Sequence, residues 1–117
     1  MSQITTHILD TACGRPAAGV HLALFRSTDR EQPGAWEELA SGVTNSDGRA
    51  AGLLDEAHKL PAGRYRMHFA LAAYFGAREL PVFYPYVDVV FDLDASGEHY
   101  HIPLLLSPYG YSTYRGS

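Results

Sequence analysis

Apolar and polar positions alternate along most of this chain, and the alternation marks strands. From Ile4 to Leu9, residues Ile4, Thr6 and Ile8 fall on one face and Thr5, His7 and Leu9 on the other. Val20, Leu22 and Leu24 share a face of a second strand, and Trp36 to Leu39 forms a short third one. Tyr65, Met67 and Phe69 then oppose Arg64, Arg66 and His68 with a clean period of two. Tyr86 to Leu93, Tyr100 to Leu106 and Tyr111 to about Tyr114 complete the set. Only Leu71 to Leu80 prefers helix, being rich in Ala and Leu and closed by Pro81, with Gly76 as its weak point. A helix of about ten residues is unstable alone, so this one must lean on a sheet.

The connections are marked as clearly. "DTACGRPAAG" and Ser27 to Gly34 read as loops, and Asn45, Asp47 and Gly48 make "TNSDGR" a tight turn. Seven or eight short strands with one helix predict an all-β fold, a two-sheet β-sandwich. The strands follow one another too closely for repeated βαβ crossovers. A length of 117 residues predicts a single domain, 1–117, and a lone Cys13 predicts no disulfide and a reducing compartment. Nine Lys and Arg against thirteen Asp and Glu give a net charge of -4 with no basic block. That balance argues against nucleic-acid and anionic-membrane partners. "MSQITTHILD" has no basic region followed by an apolar run, and no apolar stretch is long enough to span a bilayer. A soluble, cytoplasmic protein is expected.

Candidate chemistry lies on the outward faces. In Tyr100 to Leu106, the residues Ile102, Leu104 and Leu106 form the core-facing set, so His101, Pro103 and Leu105 point away. Pro103 and Leu105 make that outer face mostly apolar, and Leu9 beside His7 does the same for the first strand. Leu and His together on an outward face suggest an interface or a pocket. If the last strand is regular, Ser112, Tyr114 and Gly116 share a face opposite Tyr111, Thr113 and Arg115. Such a face could meet its copy in another subunit, or simply be an edge strand with aromatic packing. His7 and His101 are the candidate acid–base pair, because imidazole exchanges protons near neutral pH. Each alone reads as a surface residue; the pair needs their strands to be neighbours. His21, His58, His68 and His99 are expected to be structural or solvated. His99 and His101 share a face, but no third ligand is evident, so no metal is expected. Arg49 follows the Asp47-Gly48 turn, either as a solvated residue beyond a hairpin or as a positive fork for an anionic oxygen or ring carbonyl. No serine-hydrolase elbow, phosphate-binding loop or dinucleotide fingerprint is present.

The terminal "YHIPLLLSPYGYSTYRGS", the early "THILD" and "GRPAAGV", the central "TNSDGR" and "VFYPYVDVVF" together resemble the 5-hydroxyisourate hydrolases, transthyretin-like enzymes of urate breakdown. The resemblance runs from about Ile4 to Ser117. The ending Tyr114-Arg115-Gly116-Ser117 is what separates these enzymes from the hormone-carrying transthyretins. The resemblance implies a transthyretin-like sandwich of eight strands and one short helix, assembled as a homotetramer from two dimers, with active sites in the channel between the dimers. His7, His101, Leu105, Ser112 and Tyr114 would line channel surface, and the terminus would form part of the site wall. His7, Arg49 and His101 resemble the family's catalytic set. Tyr114, Ser112 and Ser117 would contact substrate, with Leu105, Arg115 and Gly116 in support.

The implied reaction opens the ring of 5-hydroxyisourate by adding water at a ring carbonyl, giving 2-oxo-4-hydroxy-4-carboxy-5-ureidoimidazoline. His101 would activate the water and His7 position it or return the proton, or the reverse. Arg49 would stabilise charge growing on the attacked oxygen, and no metal or organic cofactor is implied. A transthyretin-like carrier of small aromatic ligands is the alternative. One departure from the family concerns the helix: where members often carry an Asp-Thr-like pair, this chain has Ala70-Leu71, which removes an N-cap worth roughly 1 kcal/mol.

Overall fold

The structure is a computed structural model that describes every residue except Met1, Arg30, Gln32, Pro33 and Ser117. Its strands are β1 (Ile4–Asp10), β2 (Arg15–Pro16), β3 (His21–Ser27), β4 (Trp36–Val43), β5 (Gly63–Ala70), β6 (Tyr86–Leu93), β7 (Tyr100–Ser107) and β8 (Gly110–Thr113). One helix, α1 (Ala72–Ala77), sits between β5 and β6. One sheet runs β2-β1-β7-β8 and the other β4-β3-β5-β6, as a two-layer sandwich requires.

The alternation read from the sequence sets the core. Ile4, Ile8, Leu104 and Leu106 from the first sheet are fully buried, as are Leu24, Tyr65, Met67 and Phe69 from the second. Tyr74 and Phe75 anchor α1 to them. The parallel pairing of β1 with β7 puts Thr5 beside His101 and His7 beside Pro103. Residues paired in this way point to the same side of a sheet, so the outward groups of both strands are collected on one surface.

Five details differ from expectation. Arg15 and Pro16, in the stretch read as a loop, pair with Asp10 and Leu9 as the short edge strand β2. The helix spans six residues rather than ten. Leu71 supplies no side-chain cap, and the amides of Leu71 and Ala72 donate instead to the Pro85 carbonyl, both at 2.9 Å. β4 continues to Val43 because pairing with β3 carries the weak strand formers Ser41 and Gly42 along. "TNSDGR" does not close a hairpin: β3 lies between β4 and β5, so the chain after β4 makes a long excursion across to the first sheet. Pro103, placed on the outer face by its alternation, is buried, while His101 and Leu105 on either side of it are only partly so. Its missing N–H falls beyond the last β7–β8 backbone pair, Leu104 with Thr113, where the Thr113 hydroxyl donates to the Pro103 carbonyl at 2.7 Å.

Candidate active site

The excursion after β4 is what delivers Arg49. Asn45 organises it: its side-chain oxygen accepts from the amides of Asp47 (2.9 Å) and Arg49 (3.2 Å), and its own amide donates to the Arg49 carbonyl at 2.8 Å. The turn is then fastened to β1, where the Ile8 amide donates to the Gly48 carbonyl at 2.8 Å. Gly48 has φ +76°, and a β-carbon there would lie 2.4 Å from the Ile8 carbonyl oxygen. Only glycine fits, and Arg49 is held beside the β1–β7 surface as a result.

There it meets His101. A cleft of about 520 Å³ opens on the outer face, lined by Thr5, Asn45, Arg49, His99 and His101 among others. His101 is half-buried, and its Nδ1 lies 2.8 Å from the Thr5 hydroxyl. The same hydroxyl lies 2.8 Å from Nε2 of His99, and the two rings stack at 6.4 Å between centroids. Burial lowers the pKa of His101, and the charges of Arg49, His99 and His7 lower it further. The imidazole is thereby held neutral near pH 7, with a lone pair available to take a proton. His7, two residues along β1 from Thr5, is half-buried on the same face and close enough to act on His101.

The remaining site residues divide. Leu105 pairs with Ser112 farther along this face, and neither lines the cleft. β8 stops at Thr113, so the alternation expected to carry Tyr114 to the outer face ends one residue early. Tyr114 and Arg115 instead line a second cleft, of about 260 Å³, with Phe91, Tyr100 and Ile102. Arg115 pairs with Glu98 and lies over the Tyr100 ring at 4.4 Å. Gly116 returns to the site, its amide donating to the His101 carbonyl at 2.8 Å. Ser117 lies outside the described residues. Among those described, no group of three or more His, Cys, Asp or Glu is arranged to hold a metal ion, and no helix is long and apolar enough to cross a membrane.

Thr5, Asn45 and His99 were not among the site residues expected from the sequence: Asn45 was read only as a turn residue and His99 as structural or solvated. The spacing of His99 and His101 put them on one face, which was the available signal for His99. Thr5 became a neighbour only through the parallel pairing of β1 with β7.

The description HIUase/Transthyretin family matches residues 4–116. The chain is 47% identical to the 5-hydroxyisourate hydrolase of Mus musculus over 116 residues, covering 99% of this chain and 96% of that protein. The structure of Klebsiella pneumoniae 5-hydroxyisourate hydrolase is similar with a TM-score of 0.81 and 38% identity, covering 97% of this chain and 98% of that one. Sea bream transthyretin in complex with thyroxine gives a TM-score of 0.88 at 34% identity, covering 98% and 95%. With a matching sandwich and near-complete coverage on both sides, the chain belongs to the HIUase/Transthyretin family.

Proposed function

We propose that this protein is a cyclic-amide hydrolase that opens 5-hydroxyisourate in urate degradation, giving 2-oxo-4-hydroxy-4-carboxy-5-ureidoimidazoline. The observation that carries this reading is the meeting of Arg49 and a neutral His101 in one cleft, with His7 on the same face. His101 takes a proton from water as the oxygen attacks a ring carbonyl, and His7 positions the water or returns the proton to the departing ring nitrogen. Arg49 donates to the carbonyl oxygen as charge gathers there. The transfers involve protons and one water, so no cofactor enters the scheme.

In this reading residues 1–117 act as one domain in a cytoplasmic homotetramer, a dimer of dimers. Tyr114, Ser112 and Ser117 contact substrate in the channel between dimers, supported by Leu105, Arg115 and Gly116. The exposed aromatic rings of Tyr111 and Tyr114 and the free edges of β6 and β8 support assembly through this side. Within one chain Tyr114 faces the second cleft, so its part in the site depends on the neighbouring subunit or on movement of the tail.

The test follows freshly generated 5-hydroxyisourate by ultraviolet absorbance. Wild-type protein accelerates the decay, and His101→Ala and Arg49→Ala lower kcat/KM by roughly 10²- to 10³-fold while the assembly is preserved. A decay rate equal to the spontaneous one would overturn the reading. The likeness to a thyroxine-binding transthyretin favours one alternative, a small aromatic ligand carrier. Stoichiometric binding of such a ligand without turnover would establish it instead.

A further inference from the structure

Thr5 Oγ1 touches two imidazoles at once, Nδ1 of His101 and Nε2 of His99, each at 2.8 Å. A hydroxyl carries one proton. When both rings are neutral and the hydroxyl directs its proton at one of them, it donates across that contact and accepts an N–H across the other. Two arrangements satisfy this. In the first, His101 Nδ1–H donates to Thr5, Thr5 donates to His99 Nε2, and His101 Nε2 carries a free lone pair. In the second, His99 Nε2–H donates to Thr5, Thr5 donates to His101 Nδ1, and the proton of His101 sits on Nε2. The first arrangement makes His101 a base at Nε2 and the second makes it an acid there.

We infer that Thr5 and His99 are positioning residues that switch His101 between these two neutral tautomers and carry its proton out to solvent. The inference rests on the hydrolase reading of the cleft and adds a route for the proton. Arg49, His99 and His7 all oppose positive charge on His101, so an imidazolium beside the guanidinium is a poor resting place for a proton taken from water. The hydroxyl bridge removes that difficulty. As the water oxygen bonds to the ring carbon, its proton goes to His101 Nε2. The Nδ1 proton of His101 passes to Thr5 Oγ1, and the hydroxyl's own proton passes to His99 Nε2. His99, which is exposed, then holds the charge and releases its Nδ1 proton to solvent. The return runs backwards when the carbon–nitrogen bond breaks. His99 Nδ1 takes a solvent proton, its Nε2 proton passes through Thr5 to His101 Nδ1, and the Nε2 proton of His101 goes to the departing nitrogen, which leaves His7 the role of positioning the water. Each group ends with the protons it began with, and no electrons change hands.

Thr5→Val removes the hydroxyl while keeping the shape, and Thr5→Ser keeps the hydroxyl. His99→Ala breaks the far end of the bridge at an exposed position, where folding is little affected. The Val and Ala variants are expected to lose roughly 10-fold or more in kcat with little change in KM. Thr5→Ser should stay within about threefold of wild type, and the Val/Ala double variant should be no worse than either single one, as members of one chain behave. Nitrogen-15 spectra of the substrate-free protein give the second readout. His101 should be Nδ1-protonated in a substantial fraction of wild type and shift to the Nε2–H form in both variants. An unchanged tautomer in Thr5→Val and His99→Ala would overturn the inference, whether or not kcat falls. Should wild type fail to hydrolyse 5-hydroxyisourate, the functional reading fails by itself, and the spectra still decide whether the bridge sets the tautomer.

Discussion

Gly116 rests directly against His101: a β-carbon built on it would lie 2.5 Å from Cδ2 of the imidazole, while its amide holds the His101 carbonyl at 2.8 Å. The tail therefore packs on the ring and is tied to the strand beneath it, and only a residue without a side chain permits both. Gly116→Ala is expected to turn the ring or detach the tail, costing roughly 10- to 100-fold in kcat/KM. Hydrolysis kinetics alongside far-ultraviolet circular dichroism check this; the fold should be unchanged.

The acid side of the pH profile is set by His101. Its pKa is lowered by burial first and by Arg49 next, so the neutral base survives below the usual histidine value of about 6.5. Arg49→Gln removes one of the charges opposing protonation. The acid limb of kcat/KM should move to higher pH in that variant, measured on the residual activity. The same shift links to stability. The unfolded imidazole binds protons more readily than the folded one, so the contribution is complete above the unfolded value and falls as pH drops through the folded one.

Gly48 governs where Arg49 stands. Its left-handed φ of +76° and the 2.4 Å approach of a β-carbon to the Ile8 carbonyl exclude any side chain. Gly48→Ala should cost at least about 2 kcal/mol in urea unfolding and reduce activity by displacing the guanidinium. Retained stability together with full activity would show that the turn does not position Arg49.

A buried pair at the opposite end of β1 from Ile4, outside the lining of the cleft, offers a control. The Tyr74 hydroxyl donates to Asp10 Oδ2 at 2.6 Å, and the Ala12 amide donates to Oδ1 at 3.0 Å. Asp10 is 1% exposed, so Tyr74→Phe leaves one carboxylate oxygen without its partner. A loss of about 1–3 kcal/mol is expected in urea unfolding, with kcat close to wild type.

All the strands except β2, and most of the core, came from the sequence, because burying one face of a strand imposes a period of two that the side chains must obey. Ile4, Thr6 and Ile8, then Tyr65, Met67 and Phe69, and then Ile102, Leu104 and Leu106 all took the inward positions their alternation implied. The same parity turned His7 and His101 outward. What parity cannot supply is which strands are neighbours. The parallel pairing of β1 with β7 brought Thr5 to His101, and a glycine turn fastened to Ile8 brought Arg49 across from the other sheet. Both depend on contacts between residues far apart in the chain, and a local pattern carries no record of its distant partners. The tail shows the same limit: Tyr114 left the alternation where β8 lost its backbone partner on β7, an event fixed by the neighbouring strand and not by the four residues themselves.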